Sequence, residues 1–145
     1  MNKAVIQKKN VLIARMLGWK EMEIVNGSPL YSIPADHHAQ ILNPYELTGP
    51  VCTADSLCFE SNPKWQAILM QFLYTCNLVG YFKIEMCDSH PNHEGYPYTK
   101  VNITSRIKQI RKHYIIIAGD RDYMTAIFVA ASQFAEQYLK HVKKI

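Results

Sequence analysis

The sequence is short of the signals that announce chemistry. Its four cysteines (Cys52, Cys58, Cys76 and Cys87) include no CxxC pair, the knuckle in which structural zinc sites usually present paired ligands. No serine nucleophile elbow, HExxH, P-loop or dinucleotide fingerprint occurs. Long apolar runs are missing too. The first one is cut short by Gln7, Lys8 and Lys9, below the ~7–15 residues of a secretory h-region, and no window reaches the ~18 expected of a membrane span. These absences place the chain off the membrane, in the reducing cytosol, with free thiols and with Cys76 as helix-face packing. There is no internal repeat, low-complexity tract or linker, so the expectation is a single domain over 1–145, with 34–56 as an irregular loop region.

What is present fits a globular core. Of 145 residues, 48% are hydrophobic and 19% charged, which excludes disordered and fibrous classes. The net charge of +4 is unevenly placed. From Thr99 onward there are nine Lys/Arg against three Asp/Glu, whereas residues 1–98 carry seven against nine. That asymmetry permits an anionic partner without requiring one.

The last helix organises the rest. Met124, Ile127, Phe128, Ala131, Ala135, Tyr138, Leu139 and Val142 recur at steps of three and four, a single helical face over Asp122–Val142. Asp122 is placed to cap its first turn, and Lys140, Lys143 and Lys144 suit its negative end. Such a helix must lie on something apolar, and a sheet is expected.

Residues 3–17 predict a first helix, closed by Gly18, with Trp19 folding back as an anchor. Asn26-Gly27 predicts a hairpin across Glu21–Ile33, with Pro29 demoting its second run to an edge strand or no strand. Pro34, Pro44, Gly49 and Pro50 break periodicity in 34–56, and Leu57–Phe59 is an anchor or a short strand. Asn62-Pro63 opens a second long helix with Trp65, Ile68, Leu69, Phe72, Leu73 and Cys76 as its stripe and Gly80 as its close. Tyr81–Met86 and Lys100–Thr104 alternate as strands, and the β-branched run Tyr114–Ala118 predicts a central strand. The boundary within 105–112 is left open. The fold class is α+β: a helix–sheet sandwich, mainly an antiparallel sheet of three to five strands with two or three helices packed on it.

Gly18-Trp19, Trp65, Gly80-Tyr81 and the Ala126, Ala130, Phe134, Tyr138 pattern lie within IARMLGW, FESNPKWQAILMQFLYTCNLVGYFKIEM and DYMTAIFVAASQFAEQYL. These stretches resemble small bacterial, phage and prophage proteins of the phage ABA sandwich domain type. The resemblance spans most of the chain apart from 20–56 and 87–98, and departs from the group at Gln66–Gln71, where a second Trp and a Met-Pro turn are frequent. It implies an α/β sandwich and a phage or mobile-element setting, and carries over no activity.

Three clusters remain to be weighed. Cys87, His90 and His93 have metal-capable side chains at short spacing, with Cys52, Cys58, His37 and His38 as conceivable completions. With one knuckle visible, a polar loop between strands is the better reading, so neither metal nor cofactor is expected. Asp36-His37-His38 offers a base without a nucleophile. Arg106, Lys108, Arg111 and Lys112, interleaved with Ile, can meet phosphates. The helix–three strands–helix order also invites comparison with double-stranded RNA binding domains, but Asp120-Arg121-Asp122 sets carboxylates where those domains expect a basic helix start. The expected function is a non-enzymatic accessory or interaction protein with an unidentified protein partner, monomeric or homodimeric. The alternative is a nucleic-acid-binding domain using strand segment 100–113, and an enzyme ranks third.

Overall fold

The computed structural model describes residues 1–25, 27–41, 51–87, 98–109 and 112–143. It is α+β, with four α-helices and two three-stranded antiparallel sheets among the described residues. The first helix, α1 (Lys3–Met16), starts at Asn2, whose Oδ1 accepts from Val5 N at 2.9 Å. It ends in paired bonds, Gly18 N to Arg15 O at 3.1 Å and Trp19 N to Ala14 O at 3.0 Å, with Gly18 at φ +84°. This is the left-handed helix stop that a residue without a Cβ adopts at least cost. Trp19 folds back as expected and is 2% exposed against Phe59 and Trp65.

The hairpin follows as β1 (Lys20–Val25) and β2 (Ser28–Ser32), with Gly27 at positive φ and Asn26 outside the described residues. Pro29 does not make β2 an edge. The sheet order is β1-β2-β3, where β3 is Val51–Thr53, so β2 is central. The reason is length. β3 pairs only with Leu30, Tyr31 and Ser32, and the amide that Pro29 lacks lies beyond its end.

The segment 34–56 is more regular than its prolines suggest. It holds α2 (Ala35–Ile41), β3 and a 3-10 turn at Ala54–Ser56, while Pro44, Gly49 and Pro50 lie outside the described residues. Pro34 opens α2, its carbonyl accepting from His38 N at 2.8 Å. A residue there needs no amide donor. Leu57 and Phe59 are buried anchors.

The helix α3 (Pro63–Thr75) is capped by Asn62, whose Oδ1 accepts from Lys64 N at 3.0 Å. It ends at Thr75 with Cys76 as its half-buried C-cap, packed against the core as expected, whereas Gly80 does not close the helix. Gly80 lies within β4 (Val79–Cys87). A Cβ there would come within 3.3 Å of Arg106 Cγ and Nε, so the glycine leaves room for a side chain from the next strand.

The second sheet has the order β4-β5-β6, with β5 at Tyr98–Gln109 and β6 at Lys112–Asp120. The open boundary is thereby placed: β5 runs to Gln109, and Gln109 pairs with Lys112. The run Tyr114–Ala118 is on an edge strand, not a central one. Ile116 is 2% exposed, whereas Ile115 and Ile117 are 58% and 55% exposed, so its continuous apolar character does not come from burial on both faces.

The last helix, α4 (Tyr123–Lys143), packs on β5 and β6 and on α1. Asp122 caps it as expected, Oδ1 accepting from Met124 N and Oδ2 from the Thr125 hydroxyl, each at 3.0 Å. Phe128, Ala130, Ala131, Phe134 and Ala135 on α4 and Val101 and Ile103 on β5 are fully buried. Val142, near the helix end, is 45% exposed and leaves the expected face. No helix among the described residues is long and apolar enough to cross a membrane.

Candidate functional site

Of the chemistry-bearing residues of 34–60, His37 and Cys52 are held in the scaffold, while His38 Nε2 is buried with no hydrogen-bond partner among the described residues. His37 Nδ1 accepts the indole N–H of Trp19 at 2.9 Å, so the lone pair a general base would use is already engaged. His37 also lines a shallow cleft with Asp36, Gln40, Gln71 and Thr75, none of which is a nucleophile of the elbow type. Burial pushes the Cys52 thiol up to about 11, which keeps the thiol protonated at neutral pH.

Asn10 is a buried polar residue that helical periodicity alone did not single out. It is 1% exposed, its Oδ1 accepting from Phe59 N at 2.9 Å and its Nδ2 donating to Glu60 Oε2 at 2.8 Å. Gln66, on the inner face of α3, likewise donates to Met124 O at 2.7 Å. Both side chains join elements distant in sequence. No signal short of the tertiary contacts marks them.

Of the metal candidates, Cys87 ends β4 opposite Tyr98, and His90 and His93 lie outside the described residues. Among the described residues no three His, Cys, Asp or Glu side chains come together as a metal would need.

The basic segment divides. Arg106 lies over Gly80 and donates from Nη1 to Asn77 O at 3.4 Å. Lys108 pairs with His113 and Lys112 with Gln109 in the backbone register of the β5–β6 hairpin, while Arg111 lies outside the described residues.

The surface that stands out is the outer face of the second sheet. Cross-strand register sets Tyr81, Thr104 and Ile115 in one row and Lys83, Asn102 and Ile117 in the next. Alternation sends Phe82, Ile84, Val101, Ile103, Ile116 and Ala118 to the helix-covered side and these rows to the other. None of the six is buried: Tyr81 is 48% exposed, and Ile115 and Ile117 more so. Lys83 and Glu85 form an ion pair on the same face, a mutual hydrogen bond that raises the lysine and lowers the carboxyl. Lys100, across from Glu85 on β5, is half-buried. The face therefore sets Tyr81 on β4 and Ile115 and Ile117 on β6 on either side of Thr104 and Asn102, with a mixed-charge border. The polar alternation of Tyr81, Lys83 and Glu85 was its sequence signal.

Comparison with protein-family models, curated proteins and solved structures found no match to this chain.

Proposed function

We propose that the chain is a non-enzymatic accessory or interaction protein of a phage or other mobile element. In this reading it works in the reducing cytosol, which a sequence with no CxxC pair suits, and it binds a protein partner on the outer face of β4, β5 and β6. The observation that carries the reading is the patch of Tyr81, Ile115 and Ile117, three large side chains left about half exposed on adjacent strand rows. Large apolar side chains left exposed together on one sheet face, here on either side of Thr104 and Asn102, suit an interaction surface, and tyrosine is a frequent anchor. The engagement of His37 with Trp19 and the protonated state of Cys52 support the non-enzymatic part. The phage setting rests on the sequence resemblance. The test is capture from the host with tagged protein, comparing wild type with Tyr81→Ala and Ile117→Ala variants of unchanged melting temperature. A host protein retained in near-equal amount by wild type and lost by both variants is expected; equal retention by all three overturns the assignment.

A second reading, nucleic-acid binding through 100–113, is favoured by Lys83, Lys100 and Arg106 sharing a face with Tyr81. It is weakened because Glu85 pairs Lys83, Arg106 spends an N–H on the Asn77 carbonyl, and Asp120 and Asp122 stand at the start of α4. Binding to phosphates falls with salt at a log–log slope near −0.9 per phosphate neutralised on duplex DNA. Micromolar or tighter duplex binding at ~150 mM salt, abolished by charge removal at Arg111 and Lys112, would put this reading first.

A further inference from the structure

We propose that a second copy of this chain pairs antiparallel along the free edge of β6, about a two-fold axis at Ile116, so that two three-stranded sheets continue as one. Among the described residues no strand pairs with β6 on the side away from β5. Such an edge is a template for another strand unless charge, proline or a bulge guards it. The run from His113 to Gly119 contains no Lys, Arg, Asp, Glu or Pro. The opposite edge of the sheet is different. β4 carries Lys83 and Glu85 and an irregularity of its own between Val79 and Tyr81, whereas the irregularity in the β5–β6 ladder falls on β5, between Ser105 and Lys108.

The strand is complementary to itself. With the axis at Ile116, Lys112 stands opposite the partner copy's Asp120 at both ends of the nine-residue strand. Ile115 then stands opposite the partner copy's Ile117, and the reverse, joining four half-exposed isoleucines on the outer face. Directly opposed side chains interact across strands, opposite charges and β-branched pairs favourably. A slip of one residue would set outward positions against inward ones, and a slip of two would take Lys112 away from Asp120. Asp120 Oδ1 already accepts from Asp122 N at 3.0 Å, but a carboxylate has acceptor sites to spare. A two-fold contact of this kind is isologous and closes at the dimer. Edge pairing leaves the outer face uncovered, so it does not depend on the docking role given to that face.

The test is a charge exchange read by sedimentation equilibrium on the full chain. Wild type is expected at twice the 16.7 kDa chain mass at micromolar to ~100 μM concentration. In Lys112→Asp the two ends oppose carboxylates, and in Asp120→Lys they oppose ammoniums, so each variant alone should dimerise about tenfold more weakly or worse. Mixed in equal amounts they should dimerise with each other. One chain then carries a carboxylate at both end positions of the strand and the other an ammonium at both, so each end joins opposite charges. A monomeric wild type at ~100 μM, or a mixture no tighter than its separate components, overturns the proposal. If either charge variant fails to fold, Ile115→Cys and Ile117→Cys decide the matter, since directly opposed strand positions lie within disulfide reach. A 115–117 cross-link on mild oxidation of the mixture supports the paired register, and its absence overturns it.

Discussion

The indole N–H of Trp19 donates to His37 Nδ1 at 2.9 Å, joining the anchor after α1 to α2, a helix with no buried residue of its own. Trp19 is 2% exposed, so its N–H has no ready solvent substitute. His37→Ala should therefore cost ~1–3 kcal/mol, the penalty of an orphaned buried donor, or ~2–4 °C in melting temperature per kcal/mol. The double variant Trp19→Phe, His37→Ala should lose less than the sum of the two single losses. Strict additivity in thermal melts would show that the bond contributes nothing.

Asn10 tests a second such link. Asn10→Leu removes the acceptor for Phe59 N and the donor to Glu60, and should cost ~1–3 kcal/mol although it adds apolar surface to a helix. Denaturant unfolding with an unchanged midpoint would mean that the 57–60 segment finds another partner.

Beneath α4, Phe128 is fully buried. Phe128→Ala should cost ~3–5 kcal/mol by leaving a cavity between helix and sheet. A stability close to wild type would contradict the orientation of this helix.

At the start of α4, Asp122→Ala should lose ~1 kcal/mol, while Asp122→Asn, which keeps an acceptor for Met124 N, should lose much less. Equal losses in chemical denaturation would assign the effect to charge rather than to the cap.

Cys52 gives a pH-dependent readout. Its thiol, pushed up to about 11 by burial, should alkylate slowly at pH 8, where roughly one molecule in a thousand is thiolate, against a substantial fraction for an unfolded thiol near ~8.5. The rate should rise about tenfold per pH unit toward 11. Because the folded value exceeds the unfolded one, this group's contribution to stability is complete below ~8.5 and is lost as pH climbs through about 11. Peptide mapping that finds Cys52 labelled at the unfolded rate would refute its burial.

Local signals in the chain were sufficient for every helix end that depends on one or two residues. Gly18 after α1, Asn62-Pro63 before α3 and Asp122 before α4 act within a single turn, so their sequence neighbours decide their geometry. The apolar period of α4 likewise marked Ile127, Phe128, Ala131 and Ala135, but not Ala126, Ala130, Ser132 and Phe134, which are buried as well. Strand position did not follow in the same way. Pro29 sits on a central strand because β3 is too short to need its amide, and Ile115-Ile116-Ile117 sits on an edge because, among the described residues, no strand pairs with β6 beyond β5. The stop assigned to Gly80 belongs to the earlier helix end at Thr75, and the glycine instead makes room for Arg106, 26 positions further on. The end of α1 and the starts of α3 and α4 were thus written in the sequence. Which strand is central, which edge is free and which polar side chains are buried were decided by long-range pairing, because a strand's neighbours come from elsewhere in the chain while a helix turn supplies its own.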